Sequence, residues 1–122
     1  MKIRIKGNFV RYRLTKTEVE VFCEAGYFQE TTQFNEKTFT YALKAKQGLE
    51  GLDAEFNGDT ITLLMPSAEK DVWAGSNRVG YNNSIVLKNG QELQLLLEKD
   101  FVCLDEVEED QSDNYPNPRL KN

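Results

Sequence analysis

Four hairpin signals divide this chain, and together they constrain its fold more than any other feature. Gly7-Asn8 puts glycine first in a two-residue loop, as a type II′ turn requires. Asn35-Glu36-Lys37, Asn57-Gly58-Asp59 and Asn89-Gly90 separate three further pairs of segments, the last as a two-residue hairpin loop. Beside these turns apolar and polar residues alternate, the period of two of a strand with one buried face. Ile3 and Ile5 alternate with Lys2, Arg4 and Lys6, while Phe39, Tyr41, Leu43 and Ala45 share one face. Leu52, Ala54 and Phe56 alternate with Asp53 and Glu55. The segments Asn83–Lys88 and Gln91–Glu98 flank the last turn, and Leu93, Leu95, Leu96 and Leu97 make the second of them apolar on both sides, which predicts a central strand.

Two helices are expected between the hairpins. In Leu14-Thr15-Lys16-Thr17-Glu18-Val19, Thr15 is an N-cap, Glu18 its capping-box partner, and Leu14 is placed to staple onto Val19. Val19, Phe22 and Cys23 fall on one helical face, and Gly26 suits a left-handed C-terminal cap, so the helix covers Lys16 to Ala25. Pro66 ends a strand and opens a short helix over Ser67–Ala74, with Trp73 as a packing residue. The order strand, strand, helix, strand, strand thus occurs twice. A duplicated ββαββ unit of about 50 residues and chance recurrence both account for it, since residue identity between the halves is poor.

The expected fold class is α+β: an antiparallel, strongly curled or barrel-like sheet of about eight strands in four hairpins, capped by the helices. A length of 122 residues suits one domain, taken as residues 1–104, followed by an acidic tail over 105–122.

Charge is unevenly distributed. Residues 1–16 hold six cations and no acid, although the whole chain carries a formal net charge of -5. Counting outward from Gly7-Asn8 pairs Ile5 with Val10, Arg4 with Arg11, Ile3 with Tyr12, and Lys2 with Arg13. Like charges directly opposed weaken a sheet by about 0.2–1 kcal/mol per pair unless an anion lies over them. Lys2, Arg4, Lys6, Arg11 and Arg13 therefore read as a site for an anionic ligand or protein partner, where arginines give bidentate contacts. The alternative is a solvated hairpin face neutralised by acids elsewhere in the domain.

Asp105, Glu106, Glu108, Glu109, Asp110 and Asp113 offer the counter-charge, so the tail is expected to fold back on the domain at least as far as Tyr115. Two other readings of the tail stay open. One is a solvated acidic run; the other is a Mg²⁺ or Ca²⁺ site, for which the EF-hand pattern is missing.

With no histidine, the chain has no imidazole base, no histidine metal ligand and no histidine-activated nucleophile. Cys23 and Cys103 read as reduced core thiols. Glycine-rich phosphate loops are absent. No apolar run approaches bilayer length, and Met1 to Lys6 lacks the features of a secretory signal, so a cytoplasmic location without membrane contact is expected. A pI near 4.8 argues against nucleic acid as a partner.

Three stretches carry a resemblance that runs nearly end to end. They are Met1 to Asn8 with Arg11 to Thr15; Thr40 to Leu43; and Leu97 to Asp105 with Glu109-Asp110-Gln111-Ser112-Asp113-Asn114-Tyr115-Pro116-Asn117-Pro118. The chain resembles a family of small, functionally uncharacterised proteins of Bacteroidota-type bacteria, which implies no activity or ligand. In charge pattern alone it is similar to triphosphate-tunnel enzymes, with Lys2-x-Arg4-x-Lys6 standing where those carry Glu-x-Glu-x-Lys; their metal-binding glutamates have no counterpart.

The preferred expectation is a non-catalytic cytoplasmic binding or accessory domain without a cofactor, monomeric or homodimeric. The alternative is a phosphate- or nucleotide-processing enzyme with a charged barrel lumen. There Arg4, Arg11 and Arg13 would clamp phosphates, and Glu98, Asp100 or a tail carboxylate would hold Mg²⁺ or Ca²⁺.

Overall fold

The computed structural model describes residues 1–101 and 112–116. Its elements are β1 (Lys2–Lys6), β2 (Phe9–Leu14), α1 (Lys16–Ala25), β3 (Tyr27–Gln33), β4 (Thr38–Lys46), β5 (Asp53–Asn57), β6 (Thr60–Pro66), α2 (Ser67–Trp73), β7 (Gly80–Val86) and β8 (Glu92–Lys99).

Turn chemistry sets the hairpins. Gly7 and Gly58 sit at φ 55° and 56° in the first position of two-residue loops, and among the described residues no non-glycine residue has positive φ, as type II′ geometry requires. The β7–β8 loop departs from the two-residue expectation. Gly90 N donates to Leu87 O at 2.9 Å and Leu87 N to Gln91 O at 2.7 Å, with Gly90 at φ 85°. A two-residue I′ turn needs positive φ at Asn89 as well, and Asn89 does not adopt it. The loop is therefore longer, and the strands stop at Val86 and Glu92.

Helix α1 has both halves of its capping box. Glu18 N donates to Thr15 Oγ1 and Thr15 N donates to Glu18 Oε1 at 2.8 Å, while Gly26, at φ 78°, donates to Phe22 O at 2.7 Å. Leu14 and Val19 are both fully buried in one core cluster, where a staple would place them.

The strands form two separate four-stranded sheets, ordered β1-β2-β8-β7 and β3-β4-β6-β5. Each hairpin is antiparallel, but the central pairs, β2 with β8 and β4 with β6, are parallel. This overturns the expected antiparallel, barrel-like sheet: both sheets are mixed, and each has two edge strands, so neither closes. With no barrel there is no charged lumen for the alternative enzyme reading. The reason is one of range, because turns dictate pairing within a hairpin and say nothing of how hairpins join. Exchanging the half β1–β4 with the half β5–β8 turns the order of one sheet into that of the other. Each sheet thus contains one hairpin from each half.

Both sheets and both helices share one core. Tyr12, Leu14, Leu95 and Leu97 of the first sheet meet Leu43, Leu63 and Met65 of the second, with Val19 and Phe22 of α1 and Trp73 of α2. Tyr12 crosses between the sheets, donating to Ile61 O at 3.0 Å with its ring edge-on to Tyr41. The Met1 ammonium pairs with Glu18 and Glu30, and Tyr41 Oη donates to Met1 O at 2.9 Å. Trp73 is buried, with Nε1 donating to Arg78 O at 3.1 Å and its ring edge-on to Tyr81.

Gly80 lies where β7 meets β8, opposite Glu98. A Cβ there would stand 2.1 Å from Leu97 O and 2.8 Å from Glu98 Cα, both backbone atoms that cannot swing aside. Gly80→Ala is expected to destabilise the domain by about 1–3 kcal/mol, the usual cost of overpacking. Urea denaturation reads this as a lower midpoint at constant slope, and an unchanged midpoint would refute the close approach.

Candidate anion-binding site

The register of the first hairpin is the one that counting from Gly7-Asn8 predicts: Lys2 opposite Arg13, Ile3 opposite Tyr12, Arg4 opposite Arg11 and Ile5 opposite Val10. Successive side chains of a strand point to opposite faces. Ile3, Val10 and Tyr12 face the core, so Lys2, Arg4, Lys6, Arg11 and Arg13 share the outer face of the first sheet. Lys2, Arg4 and Lys6 are exposed, and Arg11 and Arg13 are half-buried.

The parallel pairing with β8 brings acids to this row. Arg13 stands opposite Glu98, and its Nε lies 2.8 Å from Glu98 Oε1, with Arg11 Nη1 at 3.8 Å from the same oxygen. Lys2 Nζ lies 3.0 Å from Asp100, whose carboxylate is buried. Compensation is incomplete. Among the described residues Arg4 and Lys6 have no ion-pair partner, and the buried Nε of Arg11 has no hydrogen-bond partner. Burial first, and then the Arg13 guanidinium, pull Arg11 below the usual arginine pKa, against the opposing pull of Glu98.

Glu98 and Asp100 are thus engaged with cations. Among the described residues no group of three or more Cys, Asp or Glu side chains is arranged to hold a metal ion.

The described part of the tail docks elsewhere. Lys16 N donates to Asp113 O at 2.9 Å, Thr17 Oγ1 donates to Asp113 Oδ1 at 2.8 Å, and Thr17 N donates to the same carboxylate. Asp113 therefore meets the first turn of α1, where free N–H groups and the helix dipole favour an anion. Tyr115 N donates to Asp100 O at 2.8 Å, Tyr115 forms a parallel bridge with Phe101, and its ring lies 5.0 Å from Lys99 Nζ. Burial pushes the Tyr115 phenol up to about 12. Cys103, Asp105, Glu106, Glu108, Glu109 and Asp110 lie outside the described residues.

The shared face of the cation row is legible in the sequence, but its setting is not. The sequence suggests only a metal-holding role for Glu98 and Asp100 and gives no signal for the polar strip of Asn82, Ser84 and Gln94 on the same face, because both depend on the β2–β8 and β7–β8 registers. The second half of the fold supplies an internal comparison. Counted back from the turn glycines, Asp53 stands where Lys2 does and Glu55 where Arg4 does; counted forward, Thr62 and Leu64 replace Arg11 and Arg13. The same hairpin is built without the cations.

Residues 1–119 match the family of unknown function DUF7009. The chain belongs to that family. No curated protein and no solved structure matches it. Membership in DUF7009 therefore assigns no activity to the basic face. Among the described residues no helix is long and apolar enough to cross a membrane.

Hydrogen bonds from the Thr15 and Thr17 hydroxyls hold the Asp113 carboxyl below its ordinary pKa. A depressed folded-state pKa means that the stabilisation is present above the unfolded value of about 3.9 and is lost as pH falls through the lower folded value. Asp113→Ala is expected to lower the denaturation midpoint at pH 7. The gap to the unaltered protein should hold down to about pH 4 and narrow below it. A gap that does not change in acid would separate Asp113 from this role.

Proposed function

We propose that this protein is a cytoplasmic, non-catalytic binding or accessory domain of bacterial origin, and that the outer face of its first sheet receives an anionic ligand or the acidic surface of a protein partner. The observation that carries this reading is Arg11. It is half-buried between Arg4 and Arg13, and among the described residues its Nε has no hydrogen-bond partner and it shares the Glu98 carboxylate with Arg13. A buried guanidinium donor without an acceptor costs free energy that an oxyanion recovers, and arginine suits planar or tetrahedral oxyanions through paired N–H groups. The inverted charge of the equivalent hairpin, with Asp53 and Glu55, supports a role for the cations beyond folding.

Pyrophosphate and a poly-glutamate peptide serve as probes in titration calorimetry at low salt. Binding is expected to weaken as salt rises, because exposed charges are screened over about 10 Å at 0.1 M. Arg4→Ala and Arg11→Ala should each weaken it by about tenfold or more, the scale of a hydrogen bond to a charged group. Glu98→Gln should strengthen it, since the variant releases Arg11 and Arg13 from their carboxylate. If neither probe binds, or if Arg11→Ala binds as the unaltered protein does, the reading fails.

A further inference from the structure

Phe9 divides the outer face of the first sheet. On one side it joins Arg4, Lys6 and Arg11 around a depression of about 310 Å³. On the other it lines a second depression, of about 290 Å³, with Asn82 and Gln94. The registers of three strand pairs set this arrangement. One row across the sheet runs Lys6, Phe9, Gln94, and the next runs Arg4, Arg11, Leu96, Asn82. Neighbouring strands lie about 4.8 Å apart, so cation, aromatic ring and amide follow one another at single strand spacings. The side-chain amides of Asn82 and Gln94 have no hydrogen-bond partner among the described residues.

Resting on the anion-binding reading above, we propose that this face binds a nucleoside phosphate. The base stacks on Phe9, the phosphates meet Arg4, Lys6 and Arg11, and the amides of Asn82 and Gln94 hydrogen-bond the base edge or the ribose hydroxyls. Each part of that ligand matches one part of the face. A bare anion uses only the cations and leaves the ring and the amides idle. Aromatic rings on an open sheet face are effective platforms for bases, since every base has a π-face. A polynucleotide is disfavoured because it needs cations along an extended track, whereas the chain as a whole carries a charge of -5 and the corresponding hairpin presents Asp53 and Glu55.

Titration calorimetry with ADP, adenosine, pyrophosphate and a thymidine oligonucleotide tests this. ADP is expected to bind about tenfold more tightly than pyrophosphate, the scale of one base stacked on one ring. Phe9→Leu, which keeps apolar bulk and removes the ring, should erase that advantage, read as the ratio of ADP to pyrophosphate affinity in the same variant. The pair Asn82→Ala with Gln94→Ala, at exposed positions, should also reduce the advantage and guards against a folding defect in the Phe9 variant. If ADP and pyrophosphate bind equally, or both sets of variants keep the advantage, the nucleotide assignment falls while the anion site stands. If neither ligand binds, both fall. Affinity for the oligonucleotide that exceeds that for ADP and grows with its length overturns the single-nucleotide assignment.

Discussion

The parallel ladder between β2 and β8 is the interaction on which the rest of the structure depends. It runs from Phe9 opposite Gln94 to Leu14 opposite Lys99, joining the second of the described strands to the eighth. Without it the first sheet would be two unconnected hairpins, and an isolated hairpin is marginally stable in water. The ladder buries Leu95 and Leu97 beside Tyr12 and Leu14, and it delivers Glu98 and Asp100 to the basic hairpin. Core formation and charge compensation therefore come from the same register. A shift of one residue would put the leucines outside and Glu98 inside.

Among the described residues, that register leaves positive charge in surplus on the outer face. Glu98 serves two arginines, Asp100 serves Lys2, and Arg4 and Lys6 have no ion-pair partner among the described residues. Lysine and arginine on an edge strand also discourage edge-to-edge pairing, which accounts for part of the charge on β1. It does not account for Arg11 and Arg13, which lie on an interior strand. Nor does the fold demand them, since β6, in the same position of the other half, carries Thr62 and Leu64 there.

The described residues of the C-terminal region, 112–116, meet the fold through short-range polar contacts. Asp113 meets the start of α1, and Tyr115 packs on Phe101 and over Lys99. Burial lowers the pKa of Lys99, whose Nζ donates to Ser76 O at 2.7 Å. An aromatic face over that ammonium replaces part of the hydration it has lost. The segment around Tyr115 thus shields a buried cation at the end of β8.

The sequence alone determined what neighbouring residues decide. Gly7-Asn8 set the register of the first hairpin, and Thr15 with Glu18 and Gly26 set both ends of α1. The alternation of Ile3 and Ile5 with Lys2, Arg4 and Lys6 put the cations on one face. These are contacts over a few residues, where turn and cap chemistry leave little choice. The tertiary structure decided how the hairpins join, because parallel pairing of β2 with β8 and of β4 with β6 depends on which apolar faces bury one another across the chain. It also decided that Glu98 lies beside Arg13, that Phe9 stands between cations and amides, and that Asp113 meets the helix start. No local pattern encodes those placements, since each is a by-product of burying the leucines of β8 in a core shared by both sheets.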